Sequence, residues 1–344
     1  MELLEKLTAA TGIPGREDDV RSLIVKEMKP LVDKLSTDVM GNVIGQRKGK
    51  TAKRLVLAAH MDEIGFIVNH VDDKGFLRIL PVGGFDPRTL MAQKVVVHGK
   101  KDLSGVIGSK PVHVLTEEEK KKALKVEDYF VDLGLPADQV KKLVSTGDPV
   151  TWHRDFTELG DCITSKAFDD RVGVYVMLEA LRQVKGKLLP VELYTVATVQ
   201  EEVGLRGATT SAIGLDPDIG IAVDITLAND VPGASDHEQV TRLGEGAAIK
   251  IMDGHSISNP KLVAHLKDIA RRKKIKSQME ILPRGGTDAG ALQRAGGKAA
   301  VTTISIPTRY AHSTVETINK KDVQACIDLL AAYILEAGSK SYVL

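Results

Sequence analysis

The sequence predicts an α/β protein whose α/β domain, residues 1–65 and 161–344, is split by a small β-barrel domain inserted at 66–160. Three observations lead there. Helical and strand patterns alternate at both ends of the chain, short glycine-punctuated strand segments fill the middle, and polar residues stand at strand ends on both sides of that middle. A length of 344 residues suits two domains.

In the first piece, apolar residues recur at helical spacing over 1–9 and 17–29, and Gly12, Pro14 and Gly15 break the chain between them. DVMGNVIGQ (38–46) reads as two strands around a Gly41-Asn42 turn. RLVLAAH (54–60) is almost wholly apolar and ends in a polar residue, as a central strand covered on both faces should. The middle offers FIVNHV, GFLRILPV, KVVVHG and GVIGSKPVHV, the pattern of a small barrel or sandwich, with one helical stretch expected over roughly 117–143. From about 163 the alternation resumes. Helix 172–184 precedes strands 191–199, 219–226 and 247–252. Helix 260–273, strand 278–282, a short helix near 287–294, strand 299–306 and helix 320–336 follow.

Lys+Arg (47) and Asp+Glu (46) cancel, so no global field draws the chain to nucleic acid or an anionic membrane. The start MELLEKLTAATG lacks the features of a signal peptide, and no apolar run approaches the ~18 residues of a membrane span. Cys162 and Cys326 are too few for a disulfide framework. A cytoplasmic protein without nucleic-acid or membrane partners is expected.

Sites in open α/β sheets form beyond the carboxyl ends of strands. Strand 54–60 ends in His60, followed by Met61 and Asp62. Strand 191–199 runs into Gln200, Glu201 and Glu202. Asp224 lies near the end of strand 219–226, and strand 299–306 leads through PTRYA to His312. AFDDR places Asp169 and Asp170 before helix 172–184. Each feature alone has an ordinary explanation. A histidine at a strand end is more often a satisfied hydrogen-bonder, a Glu-Glu pair is usually solvated, and Asp-Asp before a helix can be only a cap. Asp224 is more telling, because a buried carboxylate must be paired or ligated. Together, two histidines and three carboxylates suit divalent Zn, Co or Mn, and two close cations need a bridging carboxylate. Of His60 and Asp62, one could bind metal while the other orients it. Of Glu201 and Glu202, one would ligate and the other act as general base. Thr287-Asp288 reads first as a helix cap, His237 and His255 as loop histidines, and Arg309 as either a pocket residue or a solvated one. Nothing marks Cys162 as a nucleophile.

AHMDEIG (59–65), SKAFDDRVG (165–173), TVQEEVGLRGA (198–208), AVDIT (222–226), GGTDAG (285–290) and IPTRYAHS (306–313) resemble the tetrahedral, glutamyl aminopeptidase-like family of dinuclear metallopeptidases, in order and over nearly the whole chain. The resemblance implies a three-layer α/β/α mixed-sheet catalytic domain of the zinc-exopeptidase kind, with the barrel as a dimerisation domain. It implies two divalent ions per subunit, zinc or cobalt. His60 and Asp224 would hold one, Glu202 and His312 the other, and Asp169 would bridge them. Glu201 would be the general base, Asp62 would support His60, and the Asp169–Asp170 peptide would be cis. Substrates would be peptides with free N-termini, and dimers would assemble into a tetrahedral dodecamer. The alternatives are a metal-dependent amidohydrolase acting on acylated amino acids, a glycoside hydrolase using the carboxylates as an acid–base pair, and a non-catalytic scaffold. Aromatic content of 4% argues against a sugar cleft, which usually offers aromatic platforms.

Overall fold

The computed structural model describes residues 1–344. Its centre is the strand Gly49–His60. Its LVLAA stretch, 55–59, is apolar throughout because both faces are covered: Leu55, Leu57 and Ala59 enter one core, Val56 and Ala58 another. Leu189–Thr198 and Ile219–Leu227 flank it in parallel, and Ala300–Arg309 runs parallel to the latter. The carboxyl ends of these four strands therefore share one edge. Antiparallel Val43–Arg47 and Lys34–Thr37 extend one side, and Glu316–Asn319, Cys162–Ser165 and Thr157–Leu159 the other. Ala247–Met252 joins Ala300–Arg309 antiparallel and carries Ser277–Ile281.

Helices Phe168–Gln183 and Lys320–Glu336 cover one face, with Glu2–Ala9, Asp18–Met28 and Pro260–Lys273 contributing to the same core. Arg206–Leu215 and Asp288–Arg294 cover the other face around Val56, Val196, Ala212 and Leu292. The three-layer mixed sheet is thus as expected. The helix Arg206–Leu215 was not anticipated. It buries Gly207, Ala208, Ser211 and Ala212, small residues that leave little hydrophobic periodicity. No helix is long and apolar enough to cross a membrane.

Six strands close the barrel in the order Gly65–Val71, Leu77–Val82, Phe130–Asp132, Asp102–Gly108, Lys94–His98 and Pro149–Trp152. Phe66, Val95, Val97, Val150 and Trp152 help to fill it. The single helical stretch expected over 117–143 does not form. Helices Glu117–Lys121 and Ala137–Leu143 stand on either side of Phe130–Asp132. Gly134, with φ +63°, and Pro136 interrupt the helical pattern. Closing the barrel also supplies partners that a solvated helix would not. At the other boundary, Thr157–Leu159 already pairs with Cys162–Ser165 in the large sheet, ahead of residue 161.

Asn42 ties the turn at 38–42 to the functional edge. Its buried side chain donates to Gly207 O (3.1 Å) and accepts from Val199 N (3.0 Å), at the end of the strand that delivers Glu201 and Glu202. Asn42→Ala leaves that buried amide without its acceptor, and denaturant unfolding should show a loss of about 1–3 kcal/mol.

Candidate metal centre

Thr198 pairs with His60, and Ala58 pairs with Ala222, so His60 and Asp224 come level on adjacent parallel strands. Asp169 arrives from the start of the helix Phe168–Gln183, where residues 169 and 170 are not yet helical. The carboxylate of Asp169 divides its oxygens between the two imidazoles. Oδ1 lies 2.9 Å from His60 Nε2, and Oδ2 lies 3.1 Å from His312 Nε2. Glu202 Oε1 is 3.6 Å from His312 Nε2, and Glu201 Oε2 is 3.8 Å from His60 Nε2. Donor atoms of His60, Asp169 and Glu202 lie within 4.8 Å of one another, as do those of His60, Asp170 and Asp224.

The neighbours orient these donors. His60 Nδ1 is 3.0 Å from Asp62 O, and His312 Nδ1 is 3.0 Å from Gly84 O. A carbonyl can only accept, so both Nδ1 atoms donate and both Nε2 atoms face Asp169. Asp62, fully buried, accepts from Glu201 N (3.0 Å) and Glu202 N (3.1 Å) and so holds both glutamates. Glu316 does the same across the centre, accepting from Asp169 N (3.0 Å) and His312 N (2.9 Å). Asp170 accepts from His60 N (3.2 Å) and Gly173 N (3.1 Å). The Asp169–Asp170 peptide is cis, and Ala167, Gln200, Tyr310 and His312 all have φ near +55 to +60°. Left-handed backbone at non-glycine residues is costly, and it clusters where surrounding structure enforces a site.

Negative charge dominates. Burial raises Glu201, Asp224 and Asp170 well above the ordinary carboxylate range, and their acidic neighbours add to the effect. Burial likewise raises Glu202 to about 7 and Glu316 to about 8. Asp169 is also buried, but His312 and His60 hold it below its ordinary value. Burial alone would lower both histidines; Glu201 and Asp169 at His60, and Glu202 and Asp169 at His312, raise them well above theirs instead. Carboxylates outnumber the two imidazoles here, and Glu202 Oε1 is buried without a hydrogen bond. Imidazole nitrogen and carboxylate oxygen are the donors divalent ions take, so the residues fit the metals their spacing suggests.

A cavity of about 480 Å³ opens on the cluster, bordered by His60, Asp169, Glu201, Glu202, Asp224 and His312. All of the site residues expected from sequence converge here, with Asp62 just behind. Some expectations change. His255 is not a plain loop histidine: it lines this cavity, and a Cβ on Gly286 would lie 1.9 Å from its ring. Arg309 is neither solvated nor in the cavity wall, but paired with Asp230 at 2.7 Å. Thr287 does cap the helix Asp288–Arg294, while Asp288 is buried against Thr198 Oγ1 at 2.5 Å. Glu316 and the buried Lys166–Glu63 pair (2.6 Å) were missed. The rule that singled out Asp224, a carboxylate in an apolar strand, applies equally to Glu316 in VETI.

The M42 glutamyl aminopeptidase family profile matches residues 41–329. An aminopeptidase structure from the archaeon Desulfurococcus kamchatkensis is 46% identical, with a TM-score of 0.94 over 98% of this chain and 94% of that one. A curated putative aminopeptidase of Acetivibrio thermocellus is 39% identical over 97% of this chain and 98% of its own length. The TET1 peptidase of Pyrococcus horikoshii, described as assembling into a tetrahedron or a large octahedral shell, is 32% identical with a TM-score of 0.88, over 97% of this chain and 99% of that one. With the divalent-metal donor set in place at its sheet edge, this chain belongs to the M42 glutamyl aminopeptidase family and is a metal-dependent aminopeptidase.

Proposed function

We propose that the centre holds two divalent ions, zinc or cobalt, and that the enzyme removes N-terminal residues from peptides with Glu201 as its general base. The observation that carries this reading is Asp169, whose two oxygens face two different imidazoles. His60 and Asp224 would hold one ion, Glu202 and His312 the other, and Asp169 would bridge. Bound there, the ions would supply Lewis acidity and bring the acidity of water toward neutral pH.

Glu201 suits proton transfer. Asp62 fixes its backbone, no hydrogen bond engages its carboxylate, and burial raises its proton affinity. It would take a proton from water and return it to the leaving amine. The carboxylates around the cavity also favour a free α-ammonium over an acylated nitrogen, which carries no positive charge. A glycoside hydrolase is disfavoured because a carboxylate acid–base pair leaves unexplained the two imidazoles that face Asp169. The barrel would mediate dimerisation, and dimers would build a hollow tetrahedral dodecamer, a reading that rests on likeness to the TET1 peptidase. Free Cys162 and Cys326 suit a cytoplasmic setting.

Glu201→Gln should keep its metal content and lose about 10²–10⁴-fold in kcat; metal loss in step with activity would make Glu201 a ligand instead. In Asp169→Ala, metal analysis should find ions depleted, and unchanged content would remove the bridging role. Chelation should abolish hydrolysis of aminoacyl chromogenic substrates, and zinc or cobalt should restore it. Activity that survives complete metal removal would favour an acid–base pair of carboxylates.

A further inference from the structure

The site described so far accounts for only one side of the bond to be cut. A second cavity, of about 540 Å³, lies on the other side of His312, between the barrel loop containing Gly84–Thr89 and the segment Tyr310–Val315. Ala311 and His312 line both cavities, so the two meet at the metal centre. Glu201, Glu202 and Asp224 line the first cavity, with Arg284 and Arg294 also on its wall, whereas the one carboxylate bordering the second, Asp86, is already paired with Arg88 at 2.5 Å.

We propose that this second cavity binds the part of the peptide that follows the scissile bond, and that it selects for an apolar or aromatic second residue. The proposal rests on the aminopeptidase activity and extends it to a subsite. Cutting after one residue requires that the scissile carbonyl sit at the centre, with the N-terminal residue on one side and the rest of the chain on the other. The α-ammonium belongs with the carboxylates of the first cavity, which leaves the second for the chain that departs.

The walls of the second cavity support a side-chain preference. Phe85 is held in place by stacking on Phe66 (centroids 4.5 Å) and by an edge contact with Trp152 (5.9 Å), both in the barrel core. Tyr129 Oη donates to Pro87 O at 2.7 Å, and Asp86 caps the short turn Pro87–Thr89 through Arg88 N. The loop is therefore a fixed wall. Tyr310 borders the same cavity, 55% exposed on a left-handed backbone. Two aromatic rings, one anchored and one open to solvent, offer an apolar surface that a substrate side chain can cover.

The test uses the metal-loaded enzyme and tripeptides that share one good N-terminal residue and differ only in the second, Gly, Ala, Leu or Phe. The wild type should prefer Leu or Phe over Gly by about tenfold or more in kcat/KM. Phe85→Ala should shrink that ratio several-fold, and Thr89→Trp, which fills the cavity, should invert it in favour of Gly. The ratio between N-terminal residues, read on the same variants with the second residue held constant, should keep its order. No second-residue preference in the wild type would overturn the proposal without recourse to any variant. So would a collapse of both selectivities together, which would place the damage at the metal centre. Absence of any peptide hydrolysis by the metal-loaded wild type would instead strike at the aminopeptidase reading itself.

Discussion

Carboxylates buried at the edge of an apolar sheet repel one another and hold their protons unless positive charge answers them. Asp169, Asp170, Glu201, Glu202 and Asp224 crowd one end of four parallel strands, with His60 and His312 the nearest groups to offset them. Burial and mutual repulsion account for the raised proton affinity of most of these acids. Asp169 is the exception because it lies between both imidazoles. Divalent metal is the positive charge that such a donor set is built to take.

The chain spends other carboxylates on backbone amides to keep this arrangement. Asp62 holds the amides of Glu201 and Glu202, and Glu316 holds those of Asp169 and His312. Each joins segments far apart in sequence, so the positions of the donors follow from the fold as a whole. Left-handed residues one to three positions beyond strand ends, Ala167, Gln200, Tyr310 and His312, let short loops turn the donor side chains inward. The barrel takes part as well. Gly84 O receives the Nδ1 proton of His312, so the barrel is fastened to the functional edge through a hydrogen bond that turns the other ring nitrogen toward Asp169.

The comparison of sequence and structure divides along a physical line. Hydrophobic periodicity reports which faces are covered, and it was sufficient for the central strand ending at His60 and for helix Pro260–Lys273, where apolar spacing is strong. It failed for Arg206–Leu215, whose buried face is made of small residues, and for Phe130–Asp132, three residues whose strand identity comes from barrel neighbours.

The sequence by itself determined the donors: their types and their places at or just beyond strand ends were legible before any coordinates. Those features are local, because strand ends and loop residues are read from patterns a few residues long. Only the tertiary structure decided what surrounds them. That Glu316 holds the amide of Asp169, that His255 faces the cavity, that Arg309 is taken by Asp230, and that a barrel carbonyl orients His312 all depend on contacts between residues tens to hundreds of positions apart. Pairing of that kind is set by how the sheet, helices and barrel pack, and no short stretch of chain encodes it.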